Sequence, residues 1–174
     1  QIRSGKWNKL TGNLLCGKKI GIVGFGRIGQ KVAHILKGFG AEIAYFDIEE
    51  KKDSLGFAIK PLNGLLGWSD IVSLHCSVDQ KRMPLLGCKE LKMMKKGAWL
   101  INVSRGGTVD EKALYLALKD GHLRGAALDV FSEEPYKGPL KGLDNVVLTP
   151  HIGSYALESR IEMEIEAVEN LLKG

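Results

Sequence analysis

The sequence predicts an α/β protein built on a doubly wound parallel sheet with helices on both faces. Short apolar runs alternate with segments of helical periodicity along the 174 residues, an order that gives βαβ units. Most of these runs are apolar at successive positions, which is typical of strands covered on both faces. The length suits one domain with a substantial core.

Six segments are predicted to be strands, because each is short, apolar and bounded by turn residues. They are KIGIVG (19–24), EIAYFD (42–47), DIVSLH (70–75), AWLINV (98–103), GAALDV (125–130) and NVVLT (145–149).

Helical spacing of apolar residues predicts five helices. They span residues 27–38, 61–67, 88–95, 111–120 and 154–172. The first carries Ile28, Val32 and Ile35 at helical spacing, with glycines after it that can end it. The last opens with Ser154, a good N-cap, and has Glu158 in its first turns.

Charge and composition argue against a nucleic-acid or membrane partner. The formal net charge is +5, but Lys and Arg are mixed with acids, as in KDGHLR, and form no basic stripe with aromatic residues. No apolar run approaches the roughly 20 residues of a membrane helix. The N-terminus lacks the apolar core of a signal peptide and an initiating Met. We therefore expect residue 1 to be a cut inside a longer protein.

The three cysteines, Cys16, Cys76 and Cys88, are widely spaced and show no C-x-x-C pattern. An odd count without paired spacing is a poor disulfide framework or metal site. We expect reduced cysteines that pack as small apolar residues, no metal, and a cytoplasmic location.

The stretch IGIVGFGRIGQ (20–30) carries a G-x-G-x-x-G pattern where the first predicted strand passes into the first helix. In that context Gly24 makes a tight turn, Gly26 lets a pyrophosphate approach the backbone, and Gly29 lets the helix pack close to the strand. The N–H groups and partial positive charge of the helix N-terminus favour phosphate. The pattern predicts a dinucleotide site.

Asp47 closes the second predicted strand, about 20 residues after the glycines, where this motif places an acid. A carboxylate there can accept hydrogen bonds from a ribose diol and repels a 2′-phosphate, which favours NAD over NADP. A glycine-rich turn without a ligand, and a site for flavin or S-adenosylmethionine, stay open at this point.

Three polar residues follow later predicted strands. Arg105 lies in NVSRGG, Glu134 in DVFSEEP and His151 in LTPHIGS. Arg can bind a carboxylate through two parallel hydrogen bonds, and His can take or return a hydroxyl proton. A carboxylate can orient the imidazole and stabilise its cation. Each residue alone also fits an ion pair, a loop or a structural role, but together they are the parts of an alcohol or ketone oxidoreductase.

Four stretches carry a family resemblance: GIVGFGRIGQKVA, MMKKGAWLINVSRGGTVDEKAL, GAALDVFSEEP and LTPHIGS. The chain resembles the Rossmann-type NAD-binding domain of the D-isomer-specific 2-hydroxyacid dehydrogenases, from RSGKWN (3–8) to the final helix. The resemblance implies hydride transfer between NAD and C2 of a small 2-hydroxy or 2-keto acid that is phosphoglycerate-, glycerate- or lactate-like.

The resemblance also implies site residues. Arg105 corresponds to the arginine that binds the substrate carboxylate, His151 to the acid/base, and Glu134 to the glutamate that pairs with it. The implied cofactor-binding residues are Gly24, Gly26, Arg27, Ile28, Gly29, Asp47, Cys76, Ser77, Val103, Ser104, Asp129 and Gly153.

The loop HCSVDQKRMP departs from the family pattern, because Ser77 stands where a proline is frequent. A non-enzymatic branch, the NAD-sensing transcriptional corepressors, has a similar cysteine-bearing loop. The alternative hypothesis is therefore a non-catalytic NAD(H)-sensing interaction protein on the same fold.

Members of the family carry a second, substrate-binding domain. We expect residues 1–174 to be the NAD-binding domain excised from such a two-domain enzyme, with residues 1–10 as the linker strut from the missing domain. The isolated domain is expected to bind NAD with negligible turnover, and the family resemblance implies a homodimer.

Overall fold

The protein is described by a computed structural model that covers residues 2–7, 9, 11–49, 56–76 and 83–173. Its centre is a seven-stranded sheet in which every pair of neighbouring strands is parallel. The strands are β1 (Lys19–Val23), β2 (Glu42–Phe46), β3 (Ala58–Ile59), β4 (Ile71–Leu74), β5 (Ala98–Asn102), β6 (Leu123–Leu128) and β7 (Val146–Leu148).

The described helices are α1 (Arg27–Gly38), α2 (Leu62–Trp68), α3 (Cys88–Met93), α4 (Glu111–Lys119) and α5 (Leu157–Lys173). The strand order is β3-β2-β1-β4-β5-β6-β7, so the chain moves outwards from β1 and then crosses back to β4. Ligands of such sheets bind where the order reverses, outside the carboxyl ends of the strands. The predicted doubly wound parallel sheet is confirmed.

Two cores lie on opposite faces of the sheet. On one face α1 packs against β1 and β2 around Ile20, Ile22 and Tyr45. On the other face α2, α3 and α4 cover the sheet in a larger core that includes Leu65 and Leu114. Strands β1 and β4 contribute side chains to both cores, which explains their continuous apolar sequences.

Part of the face that carries α1 is uncovered in the described chain. Beyond β4 this face, called here the open face, presents Trp99, Ile101, Ala127 and Val147. The Trp99 side chain is 39% exposed and Val147 is 62% exposed. Helix α5 likewise has no buried residue. Helices therefore lie on both faces as predicted, but the described helices cover only one face of β5 to β7.

The structure differs from the sequence prediction at β3, at the start of α5 and at two cysteines. Strand β3 is absent from the prediction, because a strand of two residues is too short to show a pattern. Helix α5 begins at Leu157 instead of residue 154, because a turn precedes it in which the Tyr155 N–H donates to the Ile152 carbonyl. All three cysteines are free, but Cys16 and Cys88 are exposed; the expectation of apolar packing is wrong for these two, since they lie in the turn before β1 and at the start of α3.

No helix in the described ranges has the length and apolar character needed to cross a bilayer. At the N-terminus, residues 2–4 form one 3₁₀ turn without buried residues. The assignment of residues 1–10 to a linker strut stays a prediction.

Candidate active site

The glycine loop between β1 and α1 has the geometry that its spacing predicts. Gly24 has a φ of +90°, and a Cβ on it would lie 2.6 Å from the backbone nitrogen of Cys76. A Cβ on Gly29 would overlap the Gly24 carbonyl oxygen. A Cβ on Gly26, in contrast, would meet no atom of the described residues within 4 Å. The first and third glycines are therefore required by the fold, whereas the second borders open space.

The start of α1 offers free donors beside that space. Gly26 is the N-cap, and among the described residues no side chain caps the helix. Arg27 and Ile28 follow it with exposed side chains. The first N–H groups of a helix lack intrahelical acceptors and carry partial positive charge. An anion such as a diphosphate fits this position.

The carboxylate of Asp47 is fixed beside the glycine loop. Its Oδ2 accepts a hydrogen bond of 2.6 Å from the Phe25 N–H, and its Oδ1 accepts one of 3.1 Å from the Glu49 N–H. A carboxylate has about four acceptor positions, so capacity remains for a ribose diol. Open space at Gly26, uncapped N–H groups and this carboxylate together fit an adenine dinucleotide.

Cys76 lies on the same side of the sheet, after β4. Burial raises the pKa of its thiol, and the negative charge of Asp47 adds to the increase. Cys76 and Asp47 are therefore close enough to interact. Ser77, also predicted to contact the cofactor, lies outside the described residues, together with residues 78–82.

Glu134 and His151 form a direct pair, with 3.0 Å between Glu134 Oε2 and His151 Nδ1. The other carboxylate oxygen of Glu134 accepts a hydrogen bond from the Phe131 N–H. The hydrogen bond with His151, and then that from Phe131, lower the pKa of Glu134. The His151 and Glu134 side chains remain 50% and 40% exposed, so solutes can reach the imidazole.

Asp129 holds the turn that carries His151. Its Oδ1 accepts hydrogen bonds from the Thr149 hydroxyl and the Ile152 N–H, and its Oδ2 accepts one from the Gly153 N–H. Burial would raise the pKa of Asp129, but these hydrogen bonds outweigh it and the pKa is lowered. His151 itself has a φ of +54°, a conformation that residues with side chains rarely adopt. A cofactor contact of Asp129 and Gly153 stays a prediction.

Arg105 follows β5 at the same carboxyl edge of the sheet. Its Nη1 donates a hydrogen bond of 2.8 Å to the Ser104 carbonyl, and the side chain is otherwise exposed. A Cβ on the next residue, Gly106, would overlap the Phe131 carbonyl. The turn with Arg105 therefore touches the segment that leads to Glu134. The neighbouring Val103 is exposed and Ser104 is buried.

The sequence prediction missed three polar residues that shape this edge. Asn102 and Thr108 are buried and bonded to the turn with Arg105. His75 lies after β4 with its Nε2 at 2.9 Å from the Ser73 hydroxyl, while its Nδ1 is buried and has no hydrogen-bond partner among the described residues. Burial lowers the pKa of His75. A single sequence shows such residues as ordinary polar positions near strand ends.

The glycine loop, Asp47 and the switch of strand order define a dinucleotide-binding domain of the Rossmann type. The family model described as D-isomer specific 2-hydroxyacid dehydrogenase, NAD binding domain, matches residues 1–153. The chain belongs to this family, and the resemblance predicted from its motifs is confirmed.

Similar proteins include several dehydrogenases and reductases. A glyoxylate reductase of Korarchaeum cryptofilum is 44% identical over 98% of this chain and 55% of its own length. A D-3-phosphoglycerate dehydrogenase of Methanocaldococcus jannaschii is 39% identical over 99% of this chain and 35% of its own length. A structure of D-lactate dehydrogenase from Aquifex aeolicus, complexed with NAD and lactic acid, is 29% identical with a TM-score of 0.87, and the match covers 99% of this chain and 60% of that one. The chain thus spans about half the length of the glyoxylate reductase.

Proposed function

We propose that the chain is the cofactor-binding part of an NAD-dependent D-2-hydroxyacid dehydrogenase. The observation that carries this proposal is the Glu134–His151 pair at 3.0 Å, on the sheet edge that also carries Arg105 and the glycine loop. The names of the similar proteins denote glyoxylate, D-3-phosphoglycerate and D-lactate as substrates. All three are small 2-keto or 2-hydroxy acids, which is the substrate class we propose.

The bound nicotinamide would supply or accept the hydride at C2 of the substrate. The guanidinium of Arg105 binds the substrate carboxylate by two parallel hydrogen bonds. In reduction, His151 donates a proton to the oxygen on C2, so that the carbonyl becomes a hydroxyl; in oxidation it accepts that proton. Glu134 holds Nδ1 of His151, which leaves Nε2 free to face the substrate.

The residues around the glycine loop would hold NAD. The N–H groups at the start of α1 would bind the diphosphate, and Asp47 would bind the ribose diol. A 2′-phosphate at that place would lie against the Asp47 carboxylate. We therefore propose NAD, not NADP, as the preferred cofactor.

We further infer a homodimer and a cytoplasmic location. The open face and the exposed apolar side chains of α5, such as Ile161, Ile165 and Val168, support association, because apolar patches of this kind are usually covered. The three free cysteines support a reducing compartment. Light scattering at several concentrations tests the dimer: a mass of twice the monomer is expected, and a monomer throughout would refute it.

The test of the proposed function uses the two-domain enzyme that contains this chain. NADH consumption with glyoxylate, hydroxypyruvate, pyruvate and phosphohydroxypyruvate should identify at least one substrate. H151A should lower kcat by about 10²–10⁴-fold, the usual contribution of a positioned acid/base, with NADH affinity retained. The matched control is E133A, an exposed carboxylate beside Glu134, which should not change kcat.

A different outcome would favour the alternative hypothesis. Saturable NADH binding without turnover of any keto acid would indicate an NAD(H)-sensing interaction protein. The loop that suggested this alternative lies outside the described residues from Ser77 onward, and the assembled Glu134–His151 pair supports the dehydrogenase.

A further inference from the structure

We propose that Asn102 and Thr108 are positioning residues for Arg105: Asn102 acts through Ser104 to aim the guanidinium, and Thr108 fixes the backbone of the same turn. The functional part of this inference rests on the proposed role of Arg105 in binding a substrate carboxylate. The geometric part rests only on hydrogen bonds in the described chain.

Asn102 is 1% exposed, and its side chain is bonded within the next three residues. Its Oδ1 accepts hydrogen bonds from the Ser104 N–H at 3.1 Å and the Ser104 hydroxyl at 2.7 Å. Its Nδ2 donates over a longer 3.4 Å to the Arg105 carbonyl. A buried amide is unfavourable unless it is hydrogen-bonded. Within the described ranges every hydrogen-bond partner of this side chain belongs to the turn, so the turn is what Asn102 organises.

Ser104 connects Asn102 to the guanidinium. Two bonds to Asn102 fix the amide and hydroxyl of Ser104, and its carbonyl accepts the hydrogen bond from Arg105 Nη1 at 2.8 Å. Arg105 is exposed, and an exposed arginine has several rotatable bonds with little to select one rotamer. A fixed carbonyl at its base therefore restricts the directions that the guanidinium can take.

Thr108 fixes the other side of the turn. It is fully buried, and its hydroxyl donates a hydrogen bond of 2.8 Å to the Arg105 carbonyl. Its own carbonyl accepts from the N–H groups of Leu85 and Leu86, so Thr108 is anchored outside the turn. The Arg105 backbone is thus held from two directions, by Asn102 and by Thr108.

Asn102 also connects the turn with Arg105 to the turn with His151. The Asn102 carbonyl accepts a hydrogen bond from the Asp129 N–H at 3.0 Å, and the Asp129 carboxylate accepts from the Thr149 hydroxyl before His151 and from the Ile152 and Gly153 N–H groups after it. A substrate held by Arg105 must present its C2 oxygen to His151 within a few tenths of an ångström. The hydrogen bonds that connect Arg105 to His151 through Asn102 and Asp129 hold the two residues at a fixed separation.

The test uses ¹⁵N-labelled chain and the Arg105 Nε–H signal. N102A removes the three bonds of the amide, and T108V replaces the hydroxyl with a methyl of similar size. T108S keeps the hydroxyl as the conservative rescue. S69A is the matched control, because Ser69 is equally buried and donates its hydroxyl to a backbone carbonyl, that of Leu65, at the opposite edge of the sheet.

Two readouts are expected to change together. The order parameter of the Arg105 Nε–H bond should fall by about 0.2 or more in N102A and T108V, and not in T108S or S69A. In the two-domain enzyme at saturating NADH, the KM for its keto-acid substrate should rise by roughly threefold to tenfold in the first two variants, the range expected for one lost hydrogen bond.

The outcomes separate this inference from the proposed function. If R105A leaves this KM unchanged, the proposed substrate role of Arg105 is wrong, while the order parameters still test whether Asn102 and Thr108 position its side chain. If R105A abolishes turnover or raises this KM strongly but N102A and T108V change neither readout, the inference is wrong and the proposed function stands. An equal change in S69A would also overturn it, because the effect would then follow general stability. T108V keeps the test valid if N102A does not fold.

Discussion

Replacement of Gly26 by Ala should remove dinucleotide binding and leave the fold intact. A Cβ at this position meets no atom within 4 Å in the part of the chain that the structure describes. The backbone of Gly26 has a φ of −76° and a ψ of −164°, an extended conformation that alanine adopts readily. The methyl group would instead occupy the space through which a diphosphate reaches the N–H groups of α1.

The expected magnitudes differ for folding and for binding. Alanine is a poorer N-cap than glycine, which costs the folded state about 0.5–1 kcal/mol. Replacing glycine also lowers the conformational entropy of the unfolded chain, which stabilises the folded state by about 0.4–1 kcal/mol. These terms nearly cancel, so the free energy of unfolding should change by less than about 0.5 kcal/mol. The dissociation constant of NADH should rise at least tenfold, about 1.4 kcal/mol.

Gly29→Ala is the matched comparison. Its Cβ would overlap the Gly24 carbonyl oxygen, which is backbone and cannot rotate away, so destabilisation by about 1–3 kcal/mol is expected. Urea unfolding and titration of nicotinamide fluorescence measure the two effects. Wild-type NADH affinity in a folded G26A protein would refute the reasoning, as would unfolding of G26A to the extent seen in G29A.

Three further predictions concern Asp47, Asp129 and His75. D47N removes the charge that repels a 2′-phosphate, so the ratio of NADPH to NADH affinity should rise by about tenfold in fluorescence titrations; an unchanged ratio would contradict the role of Asp47. D129N replaces an ionised acceptor of three hydrogen bonds and should lower the free energy of unfolding by about 1.5–3 kcal/mol, measured in urea; a change below about 0.5 kcal/mol would show that the His151 turn is held by other contacts. Burial lowers the pKa of His75 below its ordinary 6.5, so the folded state binds that proton less readily than the unfolded chain. The stability due to neutral His75 is therefore complete above pH 6.5 and is lost as the pH falls towards the folded-state pKa. H75Q should reduce this loss of unfolding free energy at acidic pH, measured by urea unfolding at several pH values. A dependence of the unfolding free energy on pH equal to that of the wild type would contradict it.

The elements that sequence could predict are those with short-range patterns. The glycine spacing fixes a turn, a close approach and an open position within six residues, and the structure has all three. The approach of Glu134 to His151 was also predictable in outline, because both follow strands of one parallel sheet. Their direct pairing was implied by the family resemblance and not by the strand pattern, which does not show the turn that Asp129 holds through Thr149.

Other features depend on packing that one sequence does not show. Asn102 and Thr108 are buried because the turn with Arg105 folds over them, and their sequence neighbours do not reveal this. Trp99 and Val147 have the apolar character of covered strand residues, yet no described helix lies over them. Which face of a strand is covered depends on how the helices are distributed over the whole sheet.

The central claim is that an adenine dinucleotide lies across the carboxyl edge of the sheet, from the glycine loop to the turns with Arg105 and His151. Titration of ¹⁵N-labelled chain with NADH tests it most directly. The account predicts saturable amide shifts concentrated at Gly24–Gly29, at Asp47 and at residues 103–105 and 151–153. Saturable shifts concentrated on the open face around Trp99 and Val147, with the glycine loop unchanged, would contradict it.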